Sequence, residues 1–157
     1  MNNVTKLLTS IVICELTGLL STPFTIASIP SWYATLHKPF FQPPNWIFGP
    51  VWTILYFMMG ISLYLIWIDK IKIQQKSQAL TNFGIQLFLN FIWSILFFGL
   101  HKPILGFVDI FALWIMIVLT IRTFAPISKN AAYLLIPYLL WVSFASILNL
   151  YIVILNP

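Results

Sequence analysis

One apolar run of this sequence, residues 79–100, carries polar and aromatic side chains at the spacing of a single helical face. Gln86 and Asn90 lie four residues apart, and Trp93 follows three residues later. Because an α-helix repeats every 3.6 residues, side chains three or four positions apart share a face. Amide and indole groups on an otherwise apolar face can hydrogen-bond either a bound molecule or a neighbouring helix.

Two further apolar runs carry aromatic stripes of the same kind. In residues 46–68 an aromatic residue recurs every four positions. In residues 131–155 two aromatic residues share a face with an alanine and an asparagine. Together the three stripes can line an apolar cavity with a few polar anchors, which is the usual composition of a ligand site. The alternative is that the amides join helices and the aromatic rings fill the core. The two stripes are Phe48, Trp52 and Tyr56, and Tyr138, Trp141, Ala145 and Asn149.

The composition places these stripes in a membrane. Of 157 residues, 61% are hydrophobic and only 7% are charged, whereas soluble domains carry about 25% charged residues. Spanning segments must satisfy their own backbone hydrogen bonds in lipid, which predicts helices of ~20 residues. The alternating segments of a β-barrel are missing. We therefore predict an all-α integral membrane protein with a single domain, a bundle of five transmembrane helices over residues 7–29, 46–68, 79–100, 104–124 and 131–155.

The longest break between apolar runs, residues 30–45, is rich in proline and aromatic residues. Proline fixes φ and removes a backbone donor, so this loop is stiff but cannot continue a helix. One interpretation is a belt of aromatic rings at the membrane interface. We favour an ordered lid folded over the mouth of the bundle, because a flexible linker would be richer in glycine and serine.

The net charge of +5 does not indicate a nucleic-acid partner, because the basic residues are scattered between the apolar runs. Six of the eight lie in the amino-terminal segment and at the second and fourth breaks, and only Lys38 and Lys102 lie in the first and third breaks. Basic residues concentrate on the cytoplasmic side of membrane proteins. We therefore predict the amino terminus inside and the carboxyl terminus outside.

Conventional catalytic motifs are missing from the sequence, and Cys14 is its only cysteine, so we predict no metal site and no required cofactor. His37 and His101 could be axial haem ligands, but we interpret both as interfacial histidines at the ends of spans. Glu15 and Asp109 are acids within the spans and therefore functional candidates. We expect Asp109 to reach water and Glu15 to be protonated or hydrogen-bonded. No chain of acids crosses the membrane, which argues against a proton pump.

A long, ordered pattern of residues connects the loop to three of the spans. It reads Trp32-Tyr33-x-x-Leu36-x-Lys38-Pro39-x-x-x-Pro43-Pro44-x-x-x-Phe48-x-Pro50-x-Trp52-x-x-Leu55-Tyr56-x-x-Met59-Gly60, then Gln86-Leu87-x-Leu89-Asn90-x-x-Trp93, and finally Pro137-Tyr138-x-x-Trp141-x-x-Phe144-Ala145-x-x-Leu148-Asn149. This pattern resembles the signature of the translocator protein family, also called TspO/MBR, tryptophan-rich sensory proteins or peripheral benzodiazepine receptors. The resemblance covers essentially the whole chain.

The resemblance implies five helices, a homodimer, and a pocket under the first loop that binds tetrapyrroles and benzodiazepine-type ligands. Carried over by position, the pocket residues are Tyr33, Trp52, Asn90, Trp141 and Ala145, which overlap the three stripes. Lys38, in the same loop, is the nearest candidate partner for a porphyrin propionate. Animal members carry a cholesterol-recognition pattern that ends in a basic residue, and no Lys or Arg follows Tyr151 here.

Three functions are compatible with this resemblance, and we expect any of them to act in a bacterial cell membrane. The first, which we favour, is a membrane receptor or sensor for tetrapyrroles such as protoporphyrin IX. The second is an unusual enzyme in which Trp52 and Trp141 take part in light- and oxygen-dependent degradation of bound porphyrin. The third is a transporter of porphyrins or lipids.

Overall fold

The computed structural model describes residues 2–70 and 73–157, which form helices and loops without any strand. Five helical segments of this part of the chain are long and apolar enough to cross a membrane, which confirms the predicted five-helix bundle. The segments are Asn3–Ser28, Asn45–Ile68, Ile73–Gly99, Pro103–Phe124 and Lys129–Leu155.

The helical elements are α1 (Asn3–Ser28), α2 (Trp32–Thr35), α3 (Phe48–Ile68), α4 (Ile73–Ser94), α5 (Pro103–Phe124), α6 (Lys129–Leu134) and α7 (Ile136–Leu155). A 3₁₀ turn, Asn45–Ile47, leads into α3, and a π turn, Ile95–Gly99, extends α4. In the bundle α1 packs against α3 and α4, α4 also packs against α5, α5 packs against α7, and α6 returns to α3. The spans therefore form a closed ring around a common interior.

The boundaries of the third and fifth spans differ from those predicted, and the first span begins at Asn3 rather than at residue 7. The third span begins at Ile73 rather than at residue 79, because Gln74, Gln75 and Lys76 are good helix formers that extend the helix beyond its apolar part. Part of the predicted break at residues 69–78 falls on residues 71 and 72, which lie outside the described residues.

The predicted fifth span, residues 131–155, consists of two helices joined at Leu135. Pro137 lies in the first turn of α7 and has no N–H to donate to the preceding turn, so the helix is interrupted before it. The shorter helix α6 begins two residues earlier than predicted, and the Ser128 hydroxyl caps it by accepting a bond from Ala131 N at 3.3 Å.

The end of α4 is wound more loosely than an α-helix and presents two rings toward the loop. Leu100 N donates to Ile95 O at 2.7 Å, which is the bond of a π turn. A π turn inserts one extra residue and changes the direction of the side chains around it, frequently at functional sites. Here it buries both Phe97 and Phe98 under the loop.

Candidate ligand-binding cavity

A cavity of about 750 Å³ lies inside the bundle among α1, α3, the end of α4 and α7. Its volume falls in the range of about 300–1,000 Å³ that is usual for small-molecule sites. Nine of the twelve predicted site residues line it, so three separate helices bring their stripes to one space. The nine are Tyr33, Phe48, Trp52, Tyr56, Asn90, Trp93, Trp141, Ala145 and Asn149.

Aromatic rings in contact with one another form much of the cavity wall. On α3 Trp52 stacks on Tyr56, with ring centroids 5.5 Å apart. Phe48 meets Trp141 of α7 edge to face at 5.9 Å. These packed rings leave a broad apolar surface with little freedom to collapse into the cavity.

The Asn90 side chain joins two tyrosines at the cavity wall. Tyr56 donates its hydroxyl hydrogen to Asn90 Oδ1 at 2.5 Å, and Asn90 Nδ2 donates to the Tyr138 hydroxyl at 3.0 Å. All three side chains are buried, where a satisfied polar network rigidifies the site. Asn90 therefore both lines the cavity and holds three helices together, which combines the two alternatives that its stripe allowed.

Asn149 has the same double role on α7. Its Oδ1 accepts a hydrogen bond from Trp93 Nε1 at 3.2 Å, and its Nδ2 donates to Pro103 O, at the start of α5, at 2.9 Å. That carbonyl lies in the first turn of its helix, and the bond links α5 to α7. Asn149 thus fixes the orientation of the Trp93 ring in the cavity wall.

Three predicted site residues do not line the cavity. Tyr138 is buried behind the wall, where Asn90 bonds it. Gln86 lies one turn further from the loop than Asn90, is 1% exposed, and neither of its amide atoms has a hydrogen-bond partner within the described ranges. Lys38 places its Nζ 4.6 Å from the centroid of the Tyr33 ring. The helical period correctly predicted the face, but not how far along each helix the cavity extends.

Helix α1 also forms part of the cavity wall. Of its lining residues, the sequence pattern indicated only Glu15 as a functional candidate. Small or polar residues of α1 line the cavity at positions 15, 18, 22 and 25, and Ile29 follows directly after the helix, which is the spacing of one helical face. This stripe of Glu15, Gly18, Thr22, Thr25 and Ile29 was the available signal. It has no aromatic residue, so it did not stand out against the apolar run.

The two intramembrane acids have different surroundings. Glu15 lines the cavity, and no residue among 2–70 and 73–157 hydrogen-bonds its side chain. Asp109 is buried, and the described part of the chain offers its Oδ2 no hydrogen-bond partner. This face of α5 points into the bundle, and the expectation that Asp109 reaches water stays a prediction.

The loop of residues 30–45, which we call the lid, contributes Tyr33 to the cavity. The Tyr33 ring packs edge to face on Phe98 at 5.5 Å and on Phe97 at 6.1 Å. Burial raises the pKa of the Tyr33 phenol to about 12, so the phenol keeps its proton at physiological pH. Tyr33 can therefore donate a hydrogen bond to a molecule in the cavity.

The carboxyl end of the chain holds the lid at its middle. His37 N donates to Asn156 Oδ1, and Asn156 Nδ2 donates back to His37 O, both at 2.9 Å. Nearby, the Phe41 ring packs edge to face on Tyr151, with centroids 5.1 Å apart. The lid is thus bonded to the end of α7, 119 residues away in sequence.

A second attachment holds the start of the lid. The His101 ring stacks on Trp32 at 4.5 Å, and its Nε2 lies 3.2 Å from the Ser28 hydroxyl. His101 has a φ of 55°, which is uncommon for a residue with a side chain and persists only where its surroundings hold it. The Ser28 hydroxyl also donates to Phe98 O at 2.5 Å. These contacts give His101 a structural role at the start of the lid, while the interpretation of both histidines as interfacial residues stays a prediction.

The fold and the cavity define a class of protein: an integral membrane bundle of five helices with a ligand-sized aromatic cavity beneath a loop. The chain belongs to the TspO/MBR family, whose model matches residues 10–155. This finding confirms the family that the sequence pattern resembled.

Relatives of this family match the chain over most of its length. The tryptophan-rich protein TspO of Archaeoglobus fulgidus is 49% identical over 154 residues, covering 98% of this chain and 99% of the relative. The translocator protein of Ovis aries is 38% identical, covering 84% and 79%. The tryptophan-rich sensory protein of Cereibacter sphaeroides is 31% identical, covering 75% and 72%. Membership supports a role as a membrane sensor or receptor, whereas the orientation of the termini stays a prediction.

Proposed function

We propose that this protein is a membrane receptor that binds tetrapyrroles, protoporphyrin IX among them, and benzodiazepine-type ligands in the cavity. The observation that carries the proposal is the cavity of about 750 Å³ with Trp52, Trp93 and Trp141 in its wall. A porphyrin is a broad, flat, largely apolar ring. Tryptophan offers the widest aromatic face of any side chain, and aromatic contacts add ~0.5–1.5 kcal/mol beyond the area they bury.

The polar groups of the cavity suit the two polar parts of a porphyrin. The Tyr33 phenol can donate to a propionate, and the Lys38 ammonium, outside the cavity lining but 4.6 Å from the centroid of the Tyr33 ring, adds positive charge at the lid. Glu15, in the α1 part of the cavity lining, can accept a hydrogen bond from a pyrrole N–H. The side chain of Ala145 on α7 is small, so a flat ring can approach the helix backbone at this position.

The proposal is tested by titrating protoporphyrin IX into the purified protein in lipid nanodiscs in darkness. A saturable shift of the porphyrin absorbance, with quenching of tryptophan fluorescence, is the expected result. An unsaturable signal equal to that of empty nanodiscs would reject the proposal. A benzodiazepine-type ligand should compete with the porphyrin, because both would occupy the same cavity.

A second candidate function is light- and oxygen-dependent degradation of the bound porphyrin. Trp52 and Trp141 both line the cavity, and indole is electron-rich enough to donate to a photoexcited ring or to react with singlet oxygen. Illumination of the loaded protein separates the two functions: binding alone leaves the porphyrin spectrum intact, and degradation replaces it with that of a product. A lack of both binding and degradation would favour transport or a different ligand.

We also propose that the protein forms a homodimer, as its resemblance to the family implies. Large apolar side chains are exposed on four helices of the bundle, among them Leu8, Phe88, Val108 and Leu140, and offer apolar surface to a second copy. Light scattering on the detergent-solubilised protein measures its mass and distinguishes one copy from two.

A further inference from the structure

The cavity is not closed on the side that faces lipid. Three large apolar residues line the cavity and are also mostly exposed on the outside of the bundle: Leu19 at 66%, Ile26 at 65% and Trp46 at 73%. The first two lie on α1, and the third precedes α3. The cavity surface therefore continues between α1 and α3 onto the surface that contacts the bilayer.

The path of α1 explains this opening. Further from the lid, α1 and α3 touch closely: a Cβ on Gly60 would lie 2.6 Å from Ile11 Cα, and one on Gly18, in the cavity lining, would lie 2.4 Å from the Tyr56 ring. These two pairs show that the helices run antiparallel. Gly49 of α3 follows at the lid end, and a Cβ there would meet no described atom within 4 Å. The two helices thus separate as they approach the lid.

At the lid end α1 packs against α4 instead. A Cβ on Gly99 would lie 3.0 Å from the Phe24 ring, and Ser28 bonds the Phe98 carbonyl. These contacts draw α1 toward the π turn and away from α3. The result is a wedge-shaped gap lined by Thr25 and Ile26 on one side and by Trp46 and Gly49 on the other. We call this opening the α1–α3 gap.

The route through the lid is held shut, in contrast to the α1–α3 gap. Lifting the lid breaks both hydrogen bonds between His37 and Asn156 and unstacks Trp32 from His101. It also separates Phe41 from Tyr151. Passage through the gap breaks none of these contacts.

We propose that ligands enter and leave the cavity from the lid-side half of the bilayer, through the α1–α3 gap, while the lid stays in place. This inference rests on the proposed function, because it concerns the ligands of that cavity. A molecule with an apolar ring and carboxylates partitions into the bilayer with its acids at the headgroups. Trp46 lies at the mouth of the gap, just before the start of the α3 span, where tryptophans of membrane proteins are enriched at the headgroups.

The test is to narrow the gap without touching the lid. Gly49→Leu places a branched side chain in open space at the gap, and Gly49→Ala serves as a smaller step that does not endanger folding. Stopped-flow measurement with protoporphyrin IX in nanodiscs should show association and dissociation both slowed, by about tenfold for leucine and less for alanine. A lost binding contact would instead change mainly dissociation.

Gly84→Leu is the matched control, because a Cβ on Gly84 also meets nothing within 4 Å in the described chain. Gly84 lies in a shallow groove beside Thr17 and Leu20, away from the α1–α3 gap. The Gly84→Leu variant should bind and release porphyrin at the rates of the parent protein. Equal slowing in the Gly49→Leu and Gly84→Leu variants would overturn the proposal, because the effect would then not come from the gap.

Asn156→Ala tests the competing route. Loss of its bonds should speed hydrogen–deuterium exchange in the lid peptide that contains His37, while the porphyrin rates stay unchanged. Faster porphyrin exchange in this variant, with unchanged rates in Gly49→Leu, would assign entry to the lid and reject the gap.

A labelling experiment separates failure of the α1–α3 gap from failure of porphyrin binding. Ser94 is buried on the far wall of the cavity, so Ser94→Cys, with Cys14→Ser, is reached only through the cavity. A maleimide carried in the lipid should label it, and Gly49→Leu should slow labelling whether or not porphyrin binds. Labelling that Asn156→Ala accelerates and Gly49→Leu leaves unchanged would reject the gap.

Discussion

The two ends of the bundle differ in packing: one has a closely packed interior, and the other contains the cavity. Away from the lid, side chains close the interior: Phe83 of α4 stacks on Phe124 of α5 at 5.8 Å, and the Ser62 hydroxyl bonds Ala131 O at 2.7 Å. Gly60 brings α3 against the α1 backbone at this end. Toward the lid the same helices separate around the cavity.

This difference separates the parts of the chain that hold the fold from those that form the site. Water is absent from the bilayer core, so helices there associate through close packing and hydrogen bonds rather than through burial of apolar surface. The packed end supplies these contacts. The lid end can then keep an open cavity, because its helices are already fixed at their other ends.

The largest effect is expected at the packed end. Gly60→Leu inserts a side chain where a single Cβ already lies 2.6 Å from the Ile11 backbone, which cannot move aside as a flexible side chain would. The overpacking should cost ~1–3 kcal/mol or more and lower the melting temperature of the detergent-solubilised protein sharply. Gly84→Leu, in open space, should leave it unchanged. Equal melting temperatures for both variants would contradict the close contact of α1 and α3.

The next effect concerns the cavity tryptophans. Trp52→Phe and Trp141→Phe keep much of the apolar bulk and lose the indole. They should weaken porphyrin binding by only ~0.5–1.5 kcal/mol but suppress light-driven loss of porphyrin by about tenfold or more, that is, by at least ~1.4 kcal/mol of activation free energy.

The control is Trp114→Phe, because Trp114 lies on α5 outside the cavity lining and bonds Ser143. Absorbance under illumination, normalised to folded protein, is the measurement. If the cavity variants melt earlier but degrade porphyrin at the parental rate per folded molecule, both tryptophans only pack the bundle.

Ala145→Leu should lower porphyrin affinity by ~1–3 kcal/mol, because its side chain would occupy ligand space on the α7 wall. Ala27→Leu adds the same atoms to an exposed position of α1 outside the cavity lining and should have no effect. Fluorescence titration gives both affinities. An unchanged affinity in folded Ala145→Leu would exclude this part of the cavity from the binding site.

The smallest effect is expected for Tyr33→Phe, which removes one hydrogen-bond donor, at ~0.5–1.5 kcal/mol of porphyrin affinity. Burial raises the pKa of Tyr33 to about 12, so the donor is present below that pH and is lost only as the pH rises through about 12. The difference between variant and parent should therefore stay constant between about pH 6 and pH 9. Tyr133→Phe, at an exposed position of α6, is the control, and a difference that varies over this range would contradict the role of the phenol.

Much of the cavity could be predicted because aromatic stripes are a local property of a helix. Trp52 and Tyr56 share a face by spacing alone, as do Trp141 and Ala145. The same spacing placed Gln86 with Asn90, but only Asn90 lies at the level of the cavity. Periodicity determines the face of a helix and says nothing about the height at which neighbouring helices separate.

The sequence by itself determined five spans and the aromatic faces of α3, α4 and α7, because hydropathy and helical period depend only on residues near each other in the chain. Only the tertiary structure decided that the plain stripe of α1 completes the cavity, and that Asn156 bonds the lid at His37. The tertiary structure also decided the position along the bundle at which α1 and α3 separate. These features depend on contacts between distant segments, and no local pattern of residues records which helix another will approach or how closely.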